Sequence, residues 1–368
     1  MTGSVLSEDH KYFKQLDGLR FLAVGAVMFG HWMDLPIFKT LNLVLGSVGV
    51  NLFFVLSGFL ITRILIKSKL EDEQNNIPHW RSIKQFYVRR TLRIFPIYYL
   101  LVFVTYALDF KLARETFWWL ISYTTNIYWC TGGSLGAFGH LWSLAVEEQF
   151  YLFFPFFILF IPKRYILKSL YFLVVFSLFV RLTAYILHPS GVETYALMLS
   201  CLDSFGIGGL LAFWFIFDQK RLSGILNKKW IFYLSFLLFL ICCLQIYLYP
   251  LGNVFIALFY RFSFSICCFW VIGIASLKGF KGLVQVFLEN KIIIYLGKIS
   301  YGLYLYHHFM PYLSSFILKQ LHVSMPFPRI HVYEYAVFYF LLTLMLSMIS
   351  WHIVEKPFNS LKKYFEYK

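Results

Sequence analysis

Charge is what this sequence has least of. Asp, Glu, Lys and Arg make up only 14% of its 368 residues, where a soluble domain carries about a quarter. So thin a polar shell cannot cover a soluble core of this size, which excludes an ordinary water-soluble globular protein. Acidic residues are scarcer still: 18, against 33 Lys and Arg, for a formal net charge of +15. In a soluble chain that balance would point to nucleic acid. Here the basic residues fall between apolar stretches, where they orient helices in a bilayer, so no nucleic-acid partner is expected. The six cysteines, Cys130, Cys201, Cys242, Cys243, Cys267 and Cys268, form neither a disulfide framework nor a zinc spacing, and no metal site is expected. The opening MTGSVLSEDHKYFKQLDGLR lacks a cleavable signal pattern, so the first helix is expected to be retained. No internal repeat, low-complexity linker or appended soluble module interrupts the chain, and 1–368 reads as one membrane domain.

What the sequence has in excess is apolar and aromatic: 60% hydrophobic residues, with 43 Phe, 26 Tyr and 10 Trp. That composition suits packed helices and the lipid interface. About 20 apolar residues cross a bilayer. Ten spans are predicted on that basis, near 17–34, 43–66, 88–109, 143–161, 169–187, 197–217, 230–248, 254–277, 297–318 and 334–354. The expected fold is therefore an all-α polytopic transmembrane bundle. Residues 116–129 are too short to span and read as interfacial or re-entrant. Residues 67–87 read as a polar loop, and 278–296 as an amphipathic piece on the inner surface. An even number of spans puts both termini on one side. With both in the cytoplasm, the outside segments hold five basic residues (Lys39, Lys111, Arg114, Lys319 and Arg329) and the spans three (Arg20, Arg181 and Arg261). That leaves 33 − 5 − 3 = 25 inside, a positive-inside distribution.

Ionisable residues inside spans are costly and are functional candidates. The first span carries Arg20 and His31. Eleven residues are three turns plus about 20°, so both project from one face, roughly 16 Å apart along the axis. Taken singly, Arg20 could snorkel to headgroups and His31 could be an interfacial histidine; sharing a face favours a joint role. Arg89, Arg90 and Arg93 open the third span in RRTLRIFPIYY. Positive-inside flanking explains them, and so does a phosphate clamp, since guanidinium forks suit phosphate oxygens. In LWSLAVEEQFYL, Ser143, Glu147, Glu148, Gln149 and Tyr151 open the fourth span near its outer end. Helix-start acids explain one of the two Glu. Either Glu is expected at the depth of His31, where a carboxylate would set the imidazole tautomer. Weaker candidates are Asn51, a helix-contact residue or a substrate contact, and Asp203, which Arg181 could neutralise. His307 and His308 fall mid-span, and Glu355 reads as a helix-end ion pair with Lys356.

LDGLRFLAVGAVMFGH, GVNLFFVLSGFLIT, RRTLRIFPIYY, LWSLAVEEQFYL, ISYGLYLYH and VEKP follow one another in that order. Together they resemble the acyltransferase-3 family of bacterial membrane O-acyltransferases over nearly the whole chain. The resemblance implies ten membrane helices in the inner (cytoplasmic) membrane. It also implies acyl-CoA, usually acetyl-CoA, as co-substrate with no permanently bound cofactor, and O-acylation of a carbohydrate. It maps the family's basic residue and histidine of helix one onto Arg20 and His31, its arginine motif onto Arg89, Arg90 and Arg93, and its serine–glutamate motif onto Ser143 and Glu147, with Gln149 and Tyr151 nearby. Some members add an extracytoplasmic hydrolase-like domain after the last helix; the expectation here is that this domain is absent.

The expected chemistry places acyl-CoA phosphates near Arg20, Arg89, Arg90 and Arg93. His31 is the general base on an acceptor hydroxyl, with Glu147 or Glu148 orienting it. Asn51, Ser143, Gln149, Tyr151 and Asp203 are candidate acceptor contacts. The partners are the bilayer, the acyl-CoA and a carbohydrate; the oligomeric state is left open. The alternative is a transporter or flippase for a lipid-linked glycan, using the same intramembrane charges as a pathway.

Overall fold

Long apolar helices dictate the architecture of the computed structural model, which describes residues 12–32, 39–188, 191–248, 253–314 and 332–365. The principal helices are α1 Lys14–Trp32, α2 Lys39–Gln74, α3 His79–Ala107, α4 Leu141–Phe160, α5 Lys163–Leu187 and α6 Leu202–Phe217. They continue with α7 Lys229–Leu248, α8 Val254–Leu277, α9 Lys291–Lys298, α10 Ser300–Tyr306 and α11 Val332–Ser350. No strand occurs among the described residues. The protein is a polytopic transmembrane helical bundle.

Seven stretches among the described residues are long and apolar enough to cross a membrane, against the ten predicted. They are 43–74, 141–160, 163–187, 199–217, 229–248, 254–277 and 335–365. The other three predicted spans differ for visible reasons. Helices α1 and α3 have the length, but Lys14, Asp17 and Arg20 charge the start of α1, and Arg81, Lys84, Arg89, Arg90 and Arg93 the first half of α3. The span expected at 297–318 is a broken element, α9 then α10 then a 3-10 turn at His307–Phe309. Its remainder past 314, like Lys319 and Arg329, lies outside the described residues.

Residues 67–87 are not a loop. Helix α2 runs on to Gln74, helped by the Lys69–Glu73 pair at 3.4 Å, the i,i+4 spacing that supports a helix. Only the turn Asn75–Pro78 breaks it, with Asn76 at φ 52°, a conformation Asn tolerates. The 116–129 segment splits into short helices, Phe117–Ile121 and Thr125–Cys130. The Tyr98 and Tyr99 hydroxyls, 2.9 Å from the carbonyls of Leu120 and Ile121 respectively, pin it to the C-terminal half of α3.

Helices α2 and α6 form the most extensive contact of the bundle. They approach closely because Gly58 and Gly208 face each other's backbones. A Cβ on Gly58 would lie 2.2 Å from the Phe205 carbonyl oxygen, and one on Gly208 2.2 Å from that of Val55. Small residues of this kind are the usual means of tight helix contact in lipid. Helix α1 packs along α2 and α9, which buries Gln15 and Asp17 and half-buries Arg20.

Candidate active site

Four histidines from three distant parts of the chain meet at one end of the bundle. His31 sits in the last turn of α1, His140 just ahead of α4, and His307 and His308 in the tight turn after α10. Ring centroids are 5.0 Å apart for His31–His307, 4.9 Å for His31–His308 and 4.9 Å for His140–His307. Three of the four are fixed by backbone carbonyls. His140 Nε2 lies 3.0 Å from the Leu305 oxygen, His308 Nδ1 3.0 Å from that of Ala137, and His307 Nδ1 2.5 Å from that of Tyr304. Among the described residues His31 has no carbonyl partner; its Nδ1 lies 2.7 Å from His307 Nε2. His307 is fully buried and His31 is exposed.

Beneath the histidines lies a cavity of about 110 Å³, whose lining includes Arg20, Arg90, Arg93, Glu147, Glu148 and Tyr151. Ser143 and Tyr304 also line it. Their hydroxyls are 2.5 Å apart, and Tyr304 Oη donates to the His140 carbonyl at 3.0 Å. Tyr304 therefore faces the cavity with its ring while its carbonyl holds His307. Lower down, Ser57 Oγ donates to Glu147 at 2.8 Å and lies 3.0 Å from Tyr151 Oη. The Arg90 guanidinium stacks 5.0 Å from the Tyr151 ring centre. Arg20 pairs with the buried Asp17. Arg90 and Arg93 carry no ion pair among the described residues, and they share the cavity with the carboxyls of Glu147 and Glu148, so guanidinium and carboxyl groups both face a ligand there.

The structure separates residues that the sequence placed together. Glu147 and Glu148 do not contact His31. They belong to the arginine-lined cavity, because Glu147 is seven residues down α4 from His140, a drop of about 10 Å at 1.5 Å per residue. Arg89 turns away from the cavity and donates to the Lys362 and Phe365 carbonyls, each at 3.0 Å. Asp203 is buried in an ion pair with Arg181 and lies 3.4 Å from Ser177, the neutralising arrangement that the sequence left open. Asn51 ties α2 to α8 and α6 through the Arg261 carbonyl at 3.1 Å and Ser204 at 2.6 Å. Gln149 binds Asn126 and the Tyr123 carbonyl at 2.8 and 2.9 Å, fastening the short helices that follow α3. Glu355 is buried 3.5 Å from Ser350 rather than paired with Lys356. His140 and Tyr304 had no place among the sequence candidates. The signal for His140 was a histidine directly ahead of the LWSL motif.

A bundle of lipid-crossing helices, enclosing a polar cavity lined by arginines and glutamates with a histidine cluster nearby, defines a membrane protein with a buried polar interior. The chain belongs to the acyltransferase-3 family: the family's model, an acyltransferase domain, matches residues 13–352. It is 28% identical to O-acetyltransferase OatA of Staphylococcus aureus over 94% of its own length and 57% of that relative. It is 30% identical to a putative peptidoglycan O-acetyltransferase, YrhL, of Bacillus subtilis over 96% of its own length and 56% of that protein. The chain thus spans little more than half the length of these curated relatives. No solved structure matches it.

Proposed function

We propose that the protein is a membrane O-acyltransferase. It moves an acyl group, most simply acetyl, from acyl-CoA to a hydroxyl of a carbohydrate acceptor at the cell envelope. The reading also seats it in the bacterial cytoplasmic membrane with both termini on the cytoplasmic side. The names of the relatives support O-acetyl transfer, and one of them names peptidoglycan as acceptor. The observation that carries the proposal is the pairing of two unlike sites: a cavity lined by Arg20, Arg90 and Arg93, and a histidine cluster in which one nitrogen of His31 has no hydrogen-bond partner among the described residues, joined through Tyr304.

Arg20, Arg90 and Arg93 take the phosphates of the donor, for which planar guanidinium groups are suited. The cavity is smaller than the 300–1,000 Å³ of ordinary ligand sites. Entry of a pantetheine arm therefore widens it at the Ser143–Tyr304 contact, which stands between the arginines and His31. His31 removes the proton of the acceptor hydroxyl as its oxygen attacks the thioester carbonyl. The carbon–sulfur bond breaks, and the proton leaves with the CoA thiolate as free thiol. The test is thiol release from acetyl-CoA by the purified, detergent-solubilised protein given a cell-wall glycan acceptor. Acceptor-dependent thiol from the wild type, lost in His31→Ala, is expected. Glycan movement across a vesicle membrane without thiol release would instead establish the transporter.

A further inference from the structure

We infer that His307 is a positioning residue that fixes the tautomer and plane of His31, leaving His31 Nε2 as the lone-pair nitrogen. The inference rests on the proposed role of His31 as base. The proton placement follows from what each group can do. A backbone carbonyl only accepts, so His307 Nδ1, 2.5 Å from the Tyr304 oxygen, carries a hydrogen. No carboxylate hydrogen-bonds any of the four histidines among the described residues. A neutral His307 therefore has its lone pair on Nε2. The His31 Nδ1 that lies 2.7 Å away must be the donor, which leaves the lone pair of a neutral His31 on Nε2.

Ring geometry supports the same arrangement. The two imidazole planes are within 5° of parallel with centroids 5.0 Å apart, yet their nearest nitrogens are 2.7 Å apart. Face-to-face rings hold their atoms about 3.5 Å or more apart, so these rings lie edge to edge in one plane, as an N–H···N bond requires. His307 is itself held on two sides. Its Nδ1 is tied to Tyr304, and its carbonyl accepts from Trp32 Nε1 at 3.2 Å, which also ties it back to the helix that carries His31. With both nitrogens engaged and no exposure, His307 cannot reach a substrate proton. The exposed His31, with one nitrogen unpartnered among the described residues, can. The motif is a carbonyl–imidazole–imidazole relay in which His307 does for His31 what a carboxylate does in a triad.

The test uses the full-length protein in detergent with ¹⁵N-labelled histidine. Wild-type His31 is expected to show a protonated Nδ1 and an unprotonated Nε2; the opposite tautomer would overturn the inference whether or not any acyl transfer is detected. His307→Gln offers an acceptor oxygen within reach of the Nε2 position, and His307→Leu offers none. At matched thermal stability, the Leu variant should lose kcat by roughly 10²-fold, part of the 10²–10⁴ of a positioned base, with KM for acetyl-CoA unchanged. It should also show mixed His31 tautomers, and the Gln variant should recover most of the rate and the single tautomer. A Leu variant with wild-type kcat, or a folded Gln variant as slow as the Leu variant, would remove His307 from this role.

Discussion

At the scale of single residues, an imidazole is useful as a base only if its lone pair faces the substrate, and a guanidinium only if its charge is unspent. Both conditions give predictions. His31→Gln keeps a polar side chain without basicity and should match His31→Ala, each losing about 10²–10⁴ in turnover. Near-wild-type turnover in His31→Gln would reduce His31 to a hydrogen-bonding residue. Lowering the pH protonates Nε2 and consumes its lone pair, so the rate should fall as acid is added. Arg93→Lys keeps the charge but loses the planar fork, and should raise KM for acetyl-CoA while leaving kcat largely intact. Arg89→Lys serves as the comparison, since Arg89 binds the Lys362 and Phe365 carbonyls instead of the cavity, and its KM should stay unchanged. Equal KM values for wild type and the Arg93 variant would take Arg93 out of the donor site. His31, Arg20, Arg90 and Arg93 were legible as candidates because each is a costly residue in or beside an apolar run; Arg89, which faces the Lys362 and Phe365 carbonyls, could not be told apart from them. The partner of His31 was not, because His307 lies 276 residues away in sequence. A nearby carboxylate was the natural guess only while depth along α4 was unmeasured.

At the scale of elements, periodicity and length identified most helices, but not where they stop or how closely they approach. The polar run after residue 66 reads as a loop by hydropathy, yet Lys69, Glu71, Asp72 and Glu73 sit within a continuing helix, with Lys69 donating to the Leu159 carbonyl at 2.6 Å. Hydropathy measures affinity for lipid, whereas a helix leaving the membrane persists on propensity and i,i+4 pairs. The α2–α6 crossing was equally hidden, since the SGF and GIGG sequences name small residues without naming their partners. Its energetics are testable. Gly58→Val would drive a side chain into the Phe205 backbone, and overpacking of this kind costs at least about 1–3 kcal/mol. The detergent-solubilised variant should melt several degrees below wild type or fail to accumulate. Gly25→Ala meets nothing within 4 Å; there alanine's helix preference, about 1 kcal/mol over glycine, should leave the melting temperature equal or higher. Equal melting of the Gly58 and Gly25 variants would mean that α2 and α6 do not pack as described.

At the scale of the whole molecule, the cavity has a direction. Its arginines lie in the N-terminal halves of α1 and α3, where those helices carry their Lys and Arg, whereas His31 lies in the last turn of α1. If basic residues mark the cytoplasm, donor phosphates are bound on that side and the hydroxyl is met toward the other. The weakest link is α3. It is 29 residues long, yet falls outside the seven clear crossings because five basic residues occupy its first half. Fourteen mostly apolar residues from Ile94 to Ala107 follow, about 21 Å at 1.5 Å per residue. That falls short of a 30 Å hydrocarbon core, because the guanidinium groups of Arg90 and Arg93 are turned into the cavity. An epitope inserted after Asn76, in the α2–α3 turn, should therefore be reached by antibody only after permeabilisation. One inserted after Gly132, beyond α3 and the short helices, should be reached in intact spheroplasts. If both tags share a side, α3 does not cross, and a donor bound at Arg90 and Arg93 could not be delivered from the cytoplasm to His31 along its length. If the two sides are reversed, the arginine end faces outward, where no acyl-CoA is available, and the donor assignment fails with it.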